Sequence, residues 1–293
     1  MSQKTPANFL GIPEEFSAYE KAAFAVIPVP YEHTVSYGGG TANGPSAIIE
    51  ASAQVELYDE ELRFEPYEAG VATLPALDVA GKPPREMARL VSRAVAGVLS
   101  DGKIPIVLGG EHSVTPPAVA SAKETFRDIT VVQFDAHADL RQEYEGEPMS
   151  HACAMARVRE TCPAVQVGIR NLSAEEAAWV SREGLPLFFA HEMRRSPNWM
   201  ARAIDAIGTE LVYVTIDLDA FDSTAMPATG TPEPGGMSWY DVVDFLRLIS
   251  KERRVVGFDV VELAPAKNLH ACDFLAAKLI YKFIGYCMTG RKA

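Results

Sequence analysis

Apolar residues occur along this chain in short runs separated by longer amphipathic stretches. Several runs are apolar without alternation, which is typical of parallel strands covered on both faces. Val and Ile are common in them, and β-branched residues favour strands. The pattern predicts seven strands, at Ala23–Val29, Ile104–Leu108, Ile129–Phe134, Val165–Ile169, Leu185–Phe189, Leu211–Leu218 and Val255–Val261.

The stretches between these strands have apolar residues at helical spacing, as Met87, Val91, Val95 and Val98 do. The predicted helices are Pro84–Leu99, Pro116–Phe126, Ala174–Glu183, Pro197–Ile207, Ser238–Ser250 and Cys272–Tyr286. Strands and helices alternate over nearly the whole chain, so we expect an α/β fold with a central, mostly parallel sheet and helices on both sides. No repeat or linker divides the 293 residues, which predicts one domain over residues 1–293.

Polar residues follow three of the predicted strands directly. Asp135, His137 and Asp139 come after one strand and are separated by single alanines. Asp217 and Asp219 lie at the end of a second strand, and His112 follows Gly109-Gly110-Glu111 after a third. Alternate residues of an extended segment point the same way, so each set can converge on one spot. Ligands of open α/β sheets bind beyond the carboxyl ends of the strands, where these residues lie.

These strand ends combine four carboxylates with two imidazoles. At ~4 Å and an effective dielectric constant of ~20, each pair of carboxylates would repel by about 4 kcal/mol. Two divalent cations would turn this repulsion into coordination. A set rich in oxygen, with one histidine for each ion, suits manganese better than zinc. Bridging carboxylates would hold the ions ~3.5 Å apart, as in two-metal hydrolysis.

The net charge of −12 argues against nucleic acid or an anionic membrane as a partner, because both need a basic surface. It suits a cationic ligand or metal ions. Residues Met1 to Pro6 lack the apolar run of a signal peptide, and no apolar stretch is long enough to span a membrane. The four cysteines are scattered, as expected of free thiols, and we expect a cytoplasmic protein.

The sequence resembles the ureohydrolases, the family of arginase and agmatinase, from about residue 20 to the C-terminus. The matching motifs occur in the family's order. They are Gly44-Pro45-Ser46-Ala47-Ile48, Gly109-Gly110-Glu111-His112-Ser113, Phe134-Asp135-Ala136-His137-Ala138-Asp139, Ser150-His151, Thr215-Ile216-Asp217-Leu218-Asp219-Ala220-Phe221-Asp222, Ala228-Thr229-Gly230-Thr231-Pro232, Gly235-Gly236 and Gly257-Phe258-Asp259-Val260-Val261-Glu262.

The resemblance implies a three-layer αβα sandwich around a mostly parallel sheet of about eight strands. It also implies two Mn²⁺ ions in each chain, and an assembly of chains into trimers or hexamers. In the implied ligand set, His112 and Asp139 bind one ion, and His137 and Asp219 bind the other. Asp135 and Asp217 would bridge the two ions.

The implied activity is hydrolysis of a guanidino group, with release of urea, by a hydroxide that bridges the two metals. Asp139 would orient the hydroxide, and Glu262 would hold the guanidinium through charge-assisted hydrogen bonds. His151 would pass a proton to the leaving amine. Asp222 is expected to support the site without binding metal.

The segment from Leu140 to Ser150 bears on the substrate. It carries Glu143, Glu145 and a third glutamate, and it lacks the Asn/Ser/Thr cluster with which arginases hold an amino acid. These glutamates would attract the distal amine of agmatine, so agmatine, hydrolysed to putrescine and urea, is the first choice. Arg141 could instead pair with an acid such as guanidinobutyrate or guanidinopropionate; arginine and guanidine also stay open.

Two other classes of function remain as alternatives. A deacetylase with a single zinc shares the fold, although the complete second ligand set argues against it. A ureohydrolase-like protein that only binds or regulates should have lost ligands, and this chain keeps all six of them together with His151 and Glu262.

Overall fold

The computed structural model describes residues 8–290, in which eight strands form one sheet. Residues 1–6, for which we predict no signal peptide, lie outside the described residues. The strands are β1 (Phe24–Val29), β2 (Val71–Thr73), β3 (Ile104–Gly109), β4 (Ile129–Phe134), β5 (Ala164–Ile169), β6 (Leu187–Phe189), β7 (Leu211–Asp217) and β8 (Arg254–Val261). All seven pairings are parallel, so the sheet is more uniform than the predicted "mostly parallel" one.

The described α-helices are α1 (Glu14–Ser17), α2 (Gly44–Ser52), α3 (Pro84–Ser100), α4 (Thr115–Phe126), α5 (Ala154–Arg159), α6 (Ala174–Glu183), α7 (Ala190–Met193), α8 (Trp199–Ala206), α9 (Trp239–Glu252) and α10 (His270–Thr289). Six short 3-10 turns are described beside them, at Phe9–Gly11, Thr41–Asn43, Pro66–Ala69, His112–Val114, His151–Cys153 and Leu218–Ala220.

The sheet separates two apolar cores, which gives the predicted three-layer αβα sandwich. Successive residues of a strand enter opposite cores: Phe24 and Val26 pack on one face of the sheet, and Ala25 and Ile27 on the other. Helices α2, α8, α9 and α10 cover the first face, and α3, α4 and α5 cover the second. Both faces of each strand are buried, which explains why its sequence is apolar without alternation.

The predicted elements agree with the observed ones apart from short segments. Strand β2 has only three residues, so its apolar run is too short to stand out in the sequence. Strand β6 begins at Leu187 rather than Leu185. Helix α9 begins at Trp239 because Ser238 is its N-cap, with its side chain accepting a hydrogen bond from the Asp241 N–H. Helices α1, α2, α5 and α7 were not predicted.

The strand order is β2-β1-β3-β8-β7-β4-β5-β6. The three strand ends singled out in the sequence belong to β3, β4 and β7, and Glu262 directly follows β8. These four strands are neighbours at the centre of the sheet, and because they are parallel their carboxyl ends meet at one edge. The topology therefore gathers residues that are up to 150 positions apart in the chain, as in the contact between His112 and Glu262.

Truncating Phe258 should test this core. Its ring is fully buried in β8 and lies 4.5 Å from the Phe283 ring, centroid to centroid. We expect Phe258→Ala to lower the free energy of unfolding by about 3–5 kcal/mol, because it leaves a cavity between sheet and helix. Tyr240→Ala is the aromatic control: Tyr240 is 72% exposed, so its loss should cost less than about 0.5 kcal/mol. Denaturant titration measures both, and equal losses would contradict the assigned packing.

Candidate active site

The six predicted metal ligands lie together at the carboxyl edge of the central strands. His112 begins the 3-10 turn after β3, and Asp135, His137 and Asp139 follow β4. Asp217 ends β7 and Asp219 lies in the next turn. All except His137 are buried, and His137 is partly buried. Such a group of buried ionisable side chains requires compensation by opposite charge.

The ligand atoms form two groups that share Asp135. In the first, His112 Nδ1 lies 3.1 Å from Asp135 Oδ2 and 3.0 Å from Asp139 Oδ2. In the second, His137 Nδ1 lies 2.9 Å from Asp219 Oδ2 and 3.6 Å from Asp135 Oδ1. Each group can hold one metal ion, with one oxygen of Asp135 directed to each. Asp217 Oδ2 lies 3.5 Å from His112 Nδ1, which places it beside the first group.

The hydrogen bonds of His112 fit a metal ligand. Its Nδ1 atom is buried without a hydrogen-bond partner although carboxylate oxygens surround it. On the other side of the ring, Nε2 lies 2.9 Å from Thr215 Oγ1, which donates to Asp259 Oδ1 at 2.6 Å. Because the Thr215 hydrogen goes to Asp259, Thr215 accepts from Nε2–H, and the lone pair of a neutral His112 is on Nδ1. A carboxylate behind the imidazole is typical of metal sites.

The cluster also carries unbalanced charge. Burial opposes protonation of the histidines, but the surrounding carboxylates outweigh it: they raise the pKa of His112 well above its usual value, and Asp219 and Asp135 raise that of His137 to about 12. Burial and the charges of Asp219 and Asp135 raise the pKa of Asp217 well above its ordinary value. Without a cation, the chain therefore holds protons where metal ions would otherwise bind.

Local backbone geometry orients these groups. Asp139 (φ 52°) and Glu262 (φ 66°) adopt left-handed backbone conformations that residues other than glycine rarely take. Only glycine fits at position 110, because a Cβ there would lie 2.0 Å from the carbonyl oxygen of Tyr31. Backbone strain of this kind clusters at functional sites.

A cavity of about 190 Å³ opens onto the cluster. Both predicted catalytic side chains outside the ligand set, His151 and Glu262, line it. Glu262 is buried and accepts a hydrogen bond from the His112 N–H at 2.6 Å. Burial, followed by the charge of Glu111, raises the pKa of Glu262 well above its usual value, so a cation bound there would be stabilising. The remaining lining includes Val35, Tyr37, Tyr144, Asn171, Leu172, Gly230 and Thr231.

The predicted substrate loop is placed only in part. Arg141 and Tyr144 line the cavity, and the Arg141 guanidinium lies 5.4 Å from the centre of the Tyr144 ring. Glu143 and Glu145 are exposed and are not among the residues that line the cavity, so their contact with substrate stays a prediction. Glu145 lies in a turn that is closed by hydrogen bonds between Tyr144 and Glu147, and it takes a positive φ of 52° there.

Glu176 is an acidic residue of the cavity lining that was not predicted from the sequence. It is buried, lines the cavity, and accepts hydrogen bonds from Leu140 N–H and Ser173 N–H. Its sequence signal, a serine three residues before a glutamate, is that of a helix capping box. That signal identifies a helix start, and only the fold brings the glutamate to the cavity.

Asp222 does not line the cavity. It accepts hydrogen bonds from the N–H groups of Thr224, Gly235 and Gly236 and from the Thr224 hydroxyl. These hydrogen bonds lower its pKa to about 2. Asp222 thus fixes the loop that follows Gly230 and Thr231, which agrees with the supporting role predicted for it.

Comparison with known proteins decides the family. A model of the arginase family matches residues 22–285. The chain belongs to the arginase family. As a member of the arginase family it is a ureohydrolase, a hydrolase that acts on guanidino or amidino compounds. The predicted family is thereby confirmed.

Two curated relatives and two solved structures illustrate the likeness to other members of the arginase family. An N(1)-aminopropylagmatine ureohydrolase from Synechocystis is 41% identical, over 96% of each chain. An agmatinase from Pyrococcus horikoshii is 34% identical, over 90% of this chain and 92% of its own. The agmatine ureohydrolase of Thermoplasma volcanium superposes with a TM-score of 0.88 at 30% identity, over 98% of this chain and 96% of its own. Arginase from Medicago truncatula has a TM-score of 0.81 at 25% identity, over 94% and 93%.

Within residues 8–290, every helix is too short or too polar to cross a membrane.

Metal binding should release protons from this arginase-family site. His112 and His137 have raised pKa values, so a cation that takes their Nδ1 atoms must displace protons. We therefore expect the affinity for Mn²⁺ to fall as the pH is lowered from about 8 to about 6. Calorimetry in buffers of different ionisation enthalpy counts the protons. Equal affinity at both pH values, with no proton release, would be evidence against these nitrogens as ligands.

Mn²⁺ binding can also be compared between two aspartate variants, one inside the cluster at Asp135 and one on the surface at Asp78. Asp135→Asn should weaken Mn²⁺ binding at both positions, because its carboxylate lies in both ligand groups. Asp78→Asn, at a side chain 92% exposed, should leave binding unchanged.

Proposed function

We propose that this chain is a two-manganese ureohydrolase of guanidino amines, which hydrolyses agmatine to putrescine and urea and accepts N1-aminopropylagmatine as a longer substrate. The observation that carries the proposal is that a buried carboxylate, Glu262, and an imidazole, His151, line the same cavity as the metal cluster. A guanidinium next to Glu262 would give this buried carboxylate a positively charged partner.

The ligand groups support two ions. His112 and Asp139 would hold one, and His137 and Asp219 the other, while Asp135 and Asp217 would be shared. When bound, such a pair of divalent cations supplies a Lewis acid that makes hydroxide available near neutral pH. Aspartates and a single histidine for each ion favour Mn²⁺ over Zn²⁺.

The protein's own residues then divide the reaction between them. Glu262 Oε1 is occupied by the His112 N–H, so the rest of the carboxylate is available to accept guanidinium N–H groups. Asp139, at the cavity wall, would orient the attacking water. Water adds to the guanidinium carbon, and the bond between that carbon and the nitrogen that carries the alkyl chain breaks. His151 gives the departing amine its proton and recovers one from the water.

The preference for an amine without an α-carboxylate rests on the cavity wall. Glu176 and Glu262 are its acidic residues outside the ligand set, and Arg141 is its one cation with a permanent charge among the lining residues. The net charge of −12 also favours cationic substrates over acids. N1-aminopropylagmatine enters as the second candidate because the 41% identical relative carries that name.

Assembly into trimers or hexamers and a cytoplasmic location stay predictions, as does the single domain over residues 1–293.

A urea-release assay with the Mn²⁺-loaded protein tests the proposed substrate. We expect kcat/KM for agmatine and for N1-aminopropylagmatine to exceed that for arginine by ~100-fold, equivalent to about 2.7 kcal/mol. Guanidinobutyrate, guanidinopropionate and guanidine serve as comparisons. Preference for a substrate with a carboxylate would indicate that Arg141 determines the specificity. Urea from none of these compounds, with both metals bound, would refute the proposal.

Glu262→Gln should lower kcat/KM for agmatine by about 30-fold to 1000-fold, because it removes the charge that faces the guanidinium. Glu143→Gln is the comparison on the loop. Since Glu143 is exposed and outside the cavity lining, we expect a change of no more than about twofold, as is usual for surface substitutions. A large loss with Glu143→Gln would instead support the substrate-binding role predicted for Glu143 from the sequence.

A further inference from the structure

A second buried carboxylate, Glu111, lies beside the metal cluster without belonging to it. Glu111 is completely buried and accepts four hydrogen bonds. Its Oε2 receives the backbone N–H groups of His33 and Thr34, both at 2.7 Å. Its Oε1 receives the hydroxyls of Thr34 at 3.0 Å and Ser113 at 2.6 Å. A carboxylate so enclosed holds the loop after β1 against the turn after β3.

Thr34 connects this carboxylate to His151. Its hydroxyl hydrogen is directed to Glu111, and its oxygen accepts the His151 backbone N–H at 3.0 Å. The same oxygen lies 3.1 Å from His151 Nδ1. Because the one hydroxyl hydrogen is already used, Thr34 can only accept a hydrogen bond from the ring, and this contact favours the tautomer with the hydrogen on Nδ1.

We propose that Glu111 and Thr34 are positioning residues that fix His151 in the Nδ1–H tautomer and so make Nε2 the nitrogen that exchanges protons with the substrate. This inference rests on the proposed function. In the reaction, protonated Nε2 gives its hydrogen to the amine nitrogen as the C–N bond breaks, and it takes a hydrogen back from the attacking water. The His151 Nδ1–H group stays hydrogen-bonded to the Thr34 hydroxyl oxygen throughout the reaction.

The backbone makes the arrangement rigid. Glu111 N–H donates to the Tyr31 carbonyl at 2.9 Å, and Gly110 N–H donates to that of Val29 at 3.0 Å. Gly110 permits this approach, since any Cβ would overlap the Tyr31 carbonyl. Glu111 and His112 are consecutive residues, so one turn positions both the proton-transfer histidine and a metal ligand.

Among residues 8–290, Ser150 is the other side chain whose hydroxyl lies within hydrogen-bond distance of His151 Nδ1 and could substitute for Thr34. Its Oγ lies 3.3 Å from His151 Nδ1, slightly farther than the Thr34 hydroxyl. A test must therefore remove both hydroxyls, and it must restore one of them to separate hydrogen bonding from packing.

The experiment compares Thr34→Ser, Thr34→Val and the double variant Thr34→Val/Ser150→Ala in urea release from agmatine. We expect Thr34→Ser to keep kcat within about threefold and the double variant to lose at least ~30-fold in kcat, within the usual contribution of a positioned acid–base group. KM and bound metal should change by less than about threefold. Thr130→Val, which removes a buried hydroxyl that contacts Thr209 and not the site, controls for loss of a threonine.

A spectroscopic measurement reads the tautomer directly. In protein free of paramagnetic ions, the ¹⁵N shifts of neutral His151, assigned with His151→Asn, should report Nδ1–H in the wild type and in Thr34→Ser. In the double variant we expect a mixture with Nε2–H. Wild-type kcat in the double variant, or Nε2–H in the wild type, would overturn the proposal. If the wild type hydrolyses no guanidino compound, the proposed function fails, whereas the nitrogen shifts still decide whether Glu111 and Thr34 fix the tautomer of His151.

Discussion

Like charges confined to a small volume constrain this structure more than any other feature. Four carboxylates and two imidazoles meet at the centre of one sheet edge, with apolar layers on both sides. Protons offset part of that repulsion in the absence of metal, as the shifted pKa values of His112, His137 and Asp217 indicate. The same groups are thus prepared to exchange protons for cations, which links occupancy of the site to pH.

Two parallel arrangements support the histidines of the site. Asp259 acts on His112 through Thr215, and Glu111 acts on His151 through Thr34. In each, the carboxylate accepts a hydrogen bond from the threonine hydroxyl, so the threonine oxygen is left to accept a hydrogen bond from the imidazole. The difference lies in which ring nitrogen is held: Nε2 in His112, which leaves Nδ1 for a metal, and Nδ1 in His151, which leaves Nε2 for proton transfer.

The layered fold and the metal cluster could be predicted because both leave short-range signals, namely apolar runs and alternating ligands directly after them. The three-residue β2 leaves almost none. Thr34 and Glu176 escaped prediction because their roles depend on which loops the folded sheet places next to one another. Glu143 and Glu145 were assigned to the substrate by charge alone, and in the structure both are exposed and lie outside the cavity lining.

The position of β8 has a consequence for when the site can exist at all. It lies between β3 and β7, and through it the group β2-β1-β3 joins the group β7-β4-β5-β6. Five of the six ligands lie at or just after the carboxyl ends of β4 and β7, but His112 follows β3 on the far side of β8. During synthesis, a ribosome must therefore deliver nearly the whole chain before the first ligand group can close. Metal loading is in this sense a late checkpoint: a chain truncated before residue 254 keeps every ligand in its sequence and lacks the strand that unites them.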